Sequence, residues 1–461
     1  MKVYKRNDNK SYYISFFINS FLAVAICLLL TSCGVGQKNI DANINEKKTV
    51  KENKKSGSQI GINEGEESNT EDLREEKREI EKGEIEKGEI EKGEIENGEI
   101  ENAEIEKGRS VKGEAENIRL VMIGDILLHD AVNKCFEKEK GKYDYSPVFE
   151  HTRDELAAAD IAIVNQEVII GGEQLGVTGY PSFNAPYEIG DALADSGFDI
   201  VCHATNHALD RGKKGLVNCM NFWSKEHPEV EVLGIHDTEA DSENIYVSEV
   251  NGMKIAFLNY TYGTNGINAP SDMKWSVDLL NNKEKIKRDI VQAEEMADFT
   301  VVCPHWGTEY SLIKTPEQEE WANLFVENGV DLVIGTHPHV IEPIEWLEDE
   351  KKGNRMLVYY SLGNYVNWTS GTGPGVSNRM IGGMAEVDIG FDESGRAMIK
   401  DYGVEALVCH LIKEKGKITV YPLREYDDKL ADENRIKDQD PDFSLDYCRE
   451  LCNKVWGEVW E

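Results

Sequence analysis

Residues 331–345 read DLVIGTHPHVIEPIE, and the rest of the chain is arranged around them. Leu332, Val333 and Ile334 form a short apolar run of the kind that fills a buried strand. Gly335 then allows a turn, and His337 and His339 follow on either side of Pro338. The proline fixes its own φ and disfavours helical geometry at His337, so this segment is expected to be non-helical. Two imidazoles one residue apart, just past a strand end, can point into one cavity and share a metal. Neutral imidazole is the commonest metal ligand in proteins. The same spacing also arises by chance on exposed strands, so the pair alone decides nothing.

Outward from this stretch the same pattern recurs: an apolar strand whose carboxyl end carries polar, ligand-type residues. Ile118–Ile123 leads into Gly124 and Asp125. Ile161–Val164 leads into Asn165, Gln166 and Glu167. Phe198–Cys202 leads into Thr205, Asn206, His207 and Asp210. Thr300–Cys303 leads into Pro304, His305, Trp306 and Gly307, with Glu309 and Tyr310 beyond. Strands alternating with amphipathic stretches indicate an α/β domain. Ligands gather at the carboxyl ends of strands in open α/β sheets, so these segments are expected to meet in one crevice.

Thr315, Pro316 and Gln318 make a helix start, with a threonine N-cap, proline at N1 and glutamine at N3. Gly329 can close that helix, which delivers the chain directly to the His337/His339 strand. A second helix is expected over 286–296, feeding the His305 strand. Later strands are expected at 253–260, 356–360, 384–389 and 418–422. The segment from Ser361 to Asn378, with Gly371, Gly373 and Gly375, reads as a loop, either a surface excursion or a mobile lid. From about Leu430 an acidic extension carries Trp456 and Trp460, and either packs on the domain or frays.

At 461 residues the chain has room for two or three domains. Its net charge of −35 argues against nucleic acid as a partner, because phosphate binding needs a basic surface. Residues 1–33 read as a secretory signal: Lys2, Lys5, Arg6 and Lys10, then an apolar stretch, then Leu30-Thr31-Ser32-Cys33. That ending resembles a bacterial lipobox, which would make Cys33 the lipidated first residue of the mature protein. The alternative is an uncleaved anchor with an ordinary cysteine. Either places the remainder on the outer face of the cytoplasmic membrane, and each buried lipid CH2 adds about 0.8 kcal/mol of membrane affinity.

Residues 34–117 form a Glu-rich linker that becomes a five-residue repeat, EIEKG, from Glu79. At about 100° per residue, successive isoleucines advance by about 140° and build no apolar face. Glycine in nearly every repeat costs a helix about 1 kcal/mol per site. An extended acidic spacer is therefore expected. Of nine cysteines, seven lie beyond the signal, an odd number that argues against a fully paired framework. Cys202 and Cys303 read as small core residues. Cys448 and Cys452, four apart, could face one another on a helix.

Carboxylate, amide and imidazole ligands form a mixed set suited to Mn, Fe or Zn, and one or two divalent ions are expected. Such ions bind and acidify a water and clamp the attacked group. The ordered series GD, NQE, ATNHALDRG, HWGTEY, GTHPHV and YSLGN resembles the CapA or PgsA family of capsule-synthesis proteins, over roughly 118–388. That family is linked to poly-γ-glutamate capsules and belongs to the calcineurin-like metallophosphoesterase superfamily. The resemblance implies a four-layer α/β/β/α sandwich over 118–428, with 429–461 as an extension. It implies Asp125, Glu167, Asn206, His305, His337 and His339 as metal ligands, Glu167 standing where a bridging carboxylate is expected. By the same resemblance His337 shares a metal with Asn206 and His305, while His339 leans toward Asp125. His207 is then the protonating histidine, and Asp210 is the second expected catalytic residue. Arg211, Glu309 and Asn364 are the expected substrate contacts.

The pattern departs from the superfamily at its start, where Asp-x-His is usual. Asp125 is followed by Ile126 and Leu127, and His129 comes two residues too late. Two functions are therefore expected as alternatives. One is a surface-anchored, metal-dependent hydrolase acting on a phosphoester or γ-glutamyl amide. The other is a non-catalytic component that binds an anionic polymer or a membrane synthase or export subunit. An acidic chain repels polyglutamate within a Debye length of about 8 Å. Arg211 and Lys213-Lys214, near the His207 loop, are the cations expected to offset that.

Overall fold

A computed structural model describes residues 117–412 and 417–460. The signal with Cys33 and the repeat segment up to residue 116 lie outside the described residues. In chain order the strands are β1 (Ile118–Ile126), β2 (Glu137–Glu139), β3 (Lys142–Tyr143), β4 (Ile161–Asn165), β5 (Ile200–Cys202), β6 (Glu231–Leu233), β7 (Tyr246–Val250) and β8 (Met253–Thr261). They continue with β9 (Phe299–His305), β10 (Leu332–Ile334), β11 (Ile344–Asp349), β12 (Asn354–Tyr359), β13 (Asn364–Val366), β14 (Ile381–Phe391), β15 (Ala397–Leu411) and β16 (Ile418–Pro422).

These strands form a mixed α/β fold with two main sheets. The first runs β16-β15-β14-β1-β4-β5-β6, with β13 paired to the end of β1, and the second runs β11-β12-β10-β9-β8-β7. Strands β1, β4, β5 and β6 are mutually parallel, as are β8, β9, β10 and β12. Parallel strands are covered on both faces and so read as continuous apolar runs. That is why Ile161–Val164 and Thr300–Cys303 stand out in the sequence.

Alternation along β9 divides the core. Val301 and Cys303 face the first sheet, in one cluster with Leu120, Met122, Phe257, Leu332 and Leu357. Cys303 Sγ lies 3.7 Å from Met122 Sδ. Val302 points the other way, with Val333 and Val358, and meets Ile286, Ile290, Trp321 and Phe325 from helices Lys283–Met296 and Pro316–Asn328. Period-two alternation along a strand produces this division. The second of these helices starts on a full capping box of Thr315 and Gln318 and ends on Gly329 at φ 109°. Both features follow from the sequence.

One segment differs from expectation, one strand was not anticipated, and one alternative left open by the sequence is decided. Asn364–Val366, read as loop, is strand β13 and pairs in parallel with β1, Asp125 opposite Asn364. Three residues are too few to show a period. The pairing is made by backbone at a turn, where the Gly363 carbonyl accepts from the Asp125 amide at 2.9 Å. Strand β15 has no apolar run over its charged, half-exposed first part, which is strand by its pairing with β14. The acidic carboxyl-terminal segment packs instead of fraying: Ile436, Phe443, Leu445, Cys448, Leu451, Cys452 and Trp456 join the main cluster. Trp456 Nε1 donates to the Glu342 carbonyl at 3.0 Å.

The glycine-rich loop is pinned by that same segment. The amides of Gly375 and Ser377 donate to Asp440 Oδ2 at 3.0 and 3.1 Å, and Gln439 Nε2 donates to the carbonyls of Thr369 and Gly371. All seven cysteines among the described residues are free thiols, with Cys202 and Cys303 buried. No helix among the described residues is long and apolar enough to cross a membrane.

Candidate metal centre

Register brings the ligand-type residues together. Asp125 at the end of β1 lies opposite Asn165 of β4 on one side and Asn364 of β13 on the other. Asn165 Nδ2 donates to Asp125 Oδ1 at 2.8 Å. Two residues beyond Asn165, Glu167 is fully buried, and its carbonyl accepts from Thr205 Oγ1 at 2.7 Å. That bond ties the Glu167 segment to the loop carrying Asn206 and His207.

The second sheet supplies the histidines. His305 ends β9 and forms a bridge with Thr336, whose Oγ1 lies 3.0 Å from His305 Nδ1. His337 and His339 follow, both with positive φ, 100° and 60°. Positive φ is uncommon outside glycine and needs surrounding structure to hold it. Here the His337 amide donates to Asp125 Oδ2 at 3.3 Å and the Pro338 carbonyl accepts from the Tyr310 amide at 2.7 Å. Gly335 allows the turn: a Cβ there would sit 2.2 Å from the Tyr360 carbonyl oxygen and 2.5 Å from Trp306 Nε1.

Glu167 lies at the centre. Its Oε1 is 3.6 Å from His339 Nε2 and 3.9 Å from both His305 Nε2 and His207 Nε2. Asp125 Oδ2 is 3.2 Å from His339 Nδ1, and Asn206 Oδ1 is 3.1 Å from His305 Nε2. Two three-residue groups have ligand atoms within 4.8 Å of one another: Glu167 with His305 and His337, and Asp125 with Glu167 and His339. Glu167 belongs to both.

The buried polar atoms suit a cation. Both Glu167 carboxylate oxygens, His337 Nδ1 and Asn165 Oδ1 are buried without a hydrogen-bond partner. Such groups are costly in a protein interior unless something compensates them. Burial, reinforced by neighbouring histidines, holds His305 and His337 well below the usual imidazole range, so both present neutral rings. Burial raises Glu167 strongly against the opposing pull of His339. For His339 burial works downward, but the carboxylates of Glu167 and Asp125 outweigh it and raise the ring to about 9. Without metal the cluster therefore holds protons that a cation would displace.

His207 Nδ1 lies 2.7 Å from Asp210 Oδ2, which also accepts from the Phe183 amide at 2.7 Å. This leaves the His207 Nε2 edge toward Glu167. Asn364 orients His339: its Oδ1 is 3.1 Å from His339 Nδ1 and its Nδ2 donates to the His339 carbonyl at 3.0 Å. Glu309 is exposed at the rim. Arg211 holds the 178–182 loop, donating to Thr178 Oγ1 and, at 3.0 Å, to the Ser182 carbonyl. Lys213 is paired with Asp272. His129 caps the helix Asp130–Phe136 and packs on Phe183, with ring centroids 5.2 Å apart, and belongs to neither ligand group.

Asn165 and Tyr310 are named among the strand-end residues of the sequence but given no role there, and Tyr262 and Arg379 are not named at all. Asn165 is the last residue of β4, and its place at the strand end beside Glu167 is the signal that could have assigned it a role. Tyr262, beside His337, and Arg379, beside Tyr310, arrive on separate segments and have no local signal.

A family model described as bacterial capsule synthesis protein PGA_cap matches residues 119–369. The chain is 28% identical over 268 residues to the capsule biosynthesis protein CapA of Bacillus anthracis, covering 56% of this chain and 62% of that one. It is 32% identical over 180 residues to the PGA biosynthesis protein CapA of Bacillus subtilis, covering 38% and 45%. It thus spans less than two thirds of either relative. Among solved structures, the NAD nucleotidase of Haemophilus influenzae superposes at a TM-score of 0.41 and 11% identity, covering 73% of this chain and 59% of that one.

Proposed function

The chain belongs to the PGA_cap family of bacterial capsule synthesis proteins, and from that premise we propose that it serves the biosynthesis or export of a capsular polymer, poly-γ-glutamate or a related surface polymer, through a divalent-metal hydrolase centre. The observation that carries the metal reading is Glu167, a fully buried carboxylate without a hydrogen-bond partner and common to two histidine-containing groups. In this reading the fold is the four-layer metallophosphoesterase type. Cys33 anchors the protein by lipid on the outer face of the cytoplasmic membrane, and membrane synthase or export subunits are its partners.

Mn, Fe or Zn would be held by Asp125, Glu167, Asn206, His305, His337 and His339. When bound, such an ion polarises the attacked group and lowers the pKa of a water. The remaining work falls to side chains. Asp210 fixes one edge of the His207 ring by the 2.7 Å contact, so that Nε2 faces the centre. From there His207 delivers a proton to the leaving group. Asn364 and Asp125 orient His339, and Thr336 orients His305. Burial of the whole cluster excludes bulk water and strengthens each electrostatic contact.

The test is turnover after stripping with a chelator and reloading with Mn, Fe or Zn. Hydrolysis of a simple phosphoester or of a γ-glutamyl oligomer that depends on the added metal is the expected result. Bound metal with no turnover on either class would replace the hydrolase reading with polymer binding or synthase assembly.

A further inference from the structure

The guanidinium of Arg379 lies 3.6 Å from the ring centroid of Tyr310, and that ring stands 6.0 Å from the ring of His339. Arg379 is thus one side chain removed from the proposed metal centre. Among the described residues its only side-chain hydrogen bond goes from Nη1 to Thr369 Oγ1 at 3.1 Å, and it makes no ion pair with a carboxylate. Its Nε has no partner. An arginine without a counter-ion is notable on a chain of net charge −35 and beside a centre containing Asp125, Glu167 and the exposed Glu309.

The position of Arg379 is also fixed. Its carbonyl accepts from Asn364 Nδ2 at 3.1 Å, and Asn364 in turn holds His339. Tyr310 is tied to the histidine loop through the Pro338 carbonyl. The preceding loop hangs on Asp440 through Gly375 and Ser377. Across the centre, the Tyr262 ring packs on His337 with centroids 4.6 Å apart. Tyr262 and Tyr310 remain 40% and 46% exposed, enough to offer ring faces to a ligand. Two of the cations that the sequence suggested for this task are occupied elsewhere: Arg211 holds the 178–182 loop and Lys213 pairs with Asp272.

We infer that Arg379, laid across Tyr310, is the anion-reading residue of this centre, binding an oxyanion of a substrate that lies between Tyr310 and Tyr262. The inference rests on the metal-centre reading and deepens it by assigning a substrate class: a molecule with a carboxylate or phosphate next to the bond presented to the metal. The planar guanidinium suits either group, because its parallel N–H donors match two oxygens at once. The tyrosines supply apolar faces for the part of the substrate between its anionic group and the reacting bond.

The test is calorimetric titration of a short γ-glutamyl oligomer and, separately, inorganic phosphate into the full chain, metal-free and Mn-loaded. Wild type, Arg379→Gln and Arg379→Lys are compared, with Mn uptake measured on each. Arg379→Gln should weaken binding of at least one anion by roughly tenfold or more, with Arg379→Lys intermediate and Mn uptake unchanged. Loss for the oligomer alone assigns a carboxylate, and loss for phosphate alone assigns a phosphate. Equal binding by wild type and Arg379→Gln, or no binding of either anion to wild type, overturns the inference. The metal reading stands or falls separately on Mn uptake by wild type.

Discussion

Glu167 and His339 set the chemistry at the scale of single residues. In the metal-free protein His339 keeps its proton to about pH 9, because Glu167 and Asp125 outweigh the effect of burial. A cation held by Asp125, Glu167 and His339 must displace that proton. Its apparent affinity should therefore rise by at least about tenfold per pH unit from pH 6 toward 9, more steeply where Glu167 also holds a proton. Metal titrations at pH 6, 7 and 8 check this, and a flat affinity would contradict the assigned protonation. Asp210 is expected to act on turnover through His207, its other side-chain bond being to the Phe183 amide. Asp210→Asn should leave metal content unchanged and lower turnover by roughly 10²–10⁴-fold, the range for losing a positioned acid–base group. Unaltered turnover would remove Asp210 as the group that positions His207.

Single elements place those residues, and here the sequence is legible to different depths. The five strand ends are readable because parallel, doubly buried strands leave continuous apolar runs beside polar termini. The helix before β10 is readable because Thr315, Pro316, Gln318 and Gly329 each have a local backbone reason. Strand β13 and Arg379 are not readable, since each is placed by contacts to chain more than ten residues away, β13 by β1 and Arg379 by Asn364 and Tyr310. Gly335 is the element's tightest point. Gly335→Ala would push a methyl group against the Tyr360 carbonyl and Trp306, so it should shift the His337/His339 loop and weaken metal binding by more than tenfold, about 1.4 kcal/mol or more. Metal titration of that variant reads the outcome. Wild-type affinity would mean that the loop tolerates movement.

The whole molecule depends on its carboxyl-terminal segment more than its acidic composition suggests. Seven apolar side chains between Ile436 and Trp456 are buried in the main cluster, and Gln439 and Asp440 hold the loop that leads to Arg379. At roughly 1.5–3 kcal/mol per buried large apolar side chain, removing them costs about 10 kcal/mol or more. That is comparable with a domain's entire stability of about 5–15 kcal/mol. A chain ended at residue 428 should fail to give a cooperative thermal transition, and a normal melt would contradict this packing. The central claim is a metal centre shared through Glu167 between the two sheets. Anomalous diffraction from crystals grown with Mn tests it most directly. The predicted result is one or two ions, at roughly 2.0–2.3 Å from Glu167 oxygen and from ligand atoms of His305 and His337, of Asp125 and His339, or of both groups. No ion at Glu167 in fully Mn-saturated crystals would contradict it.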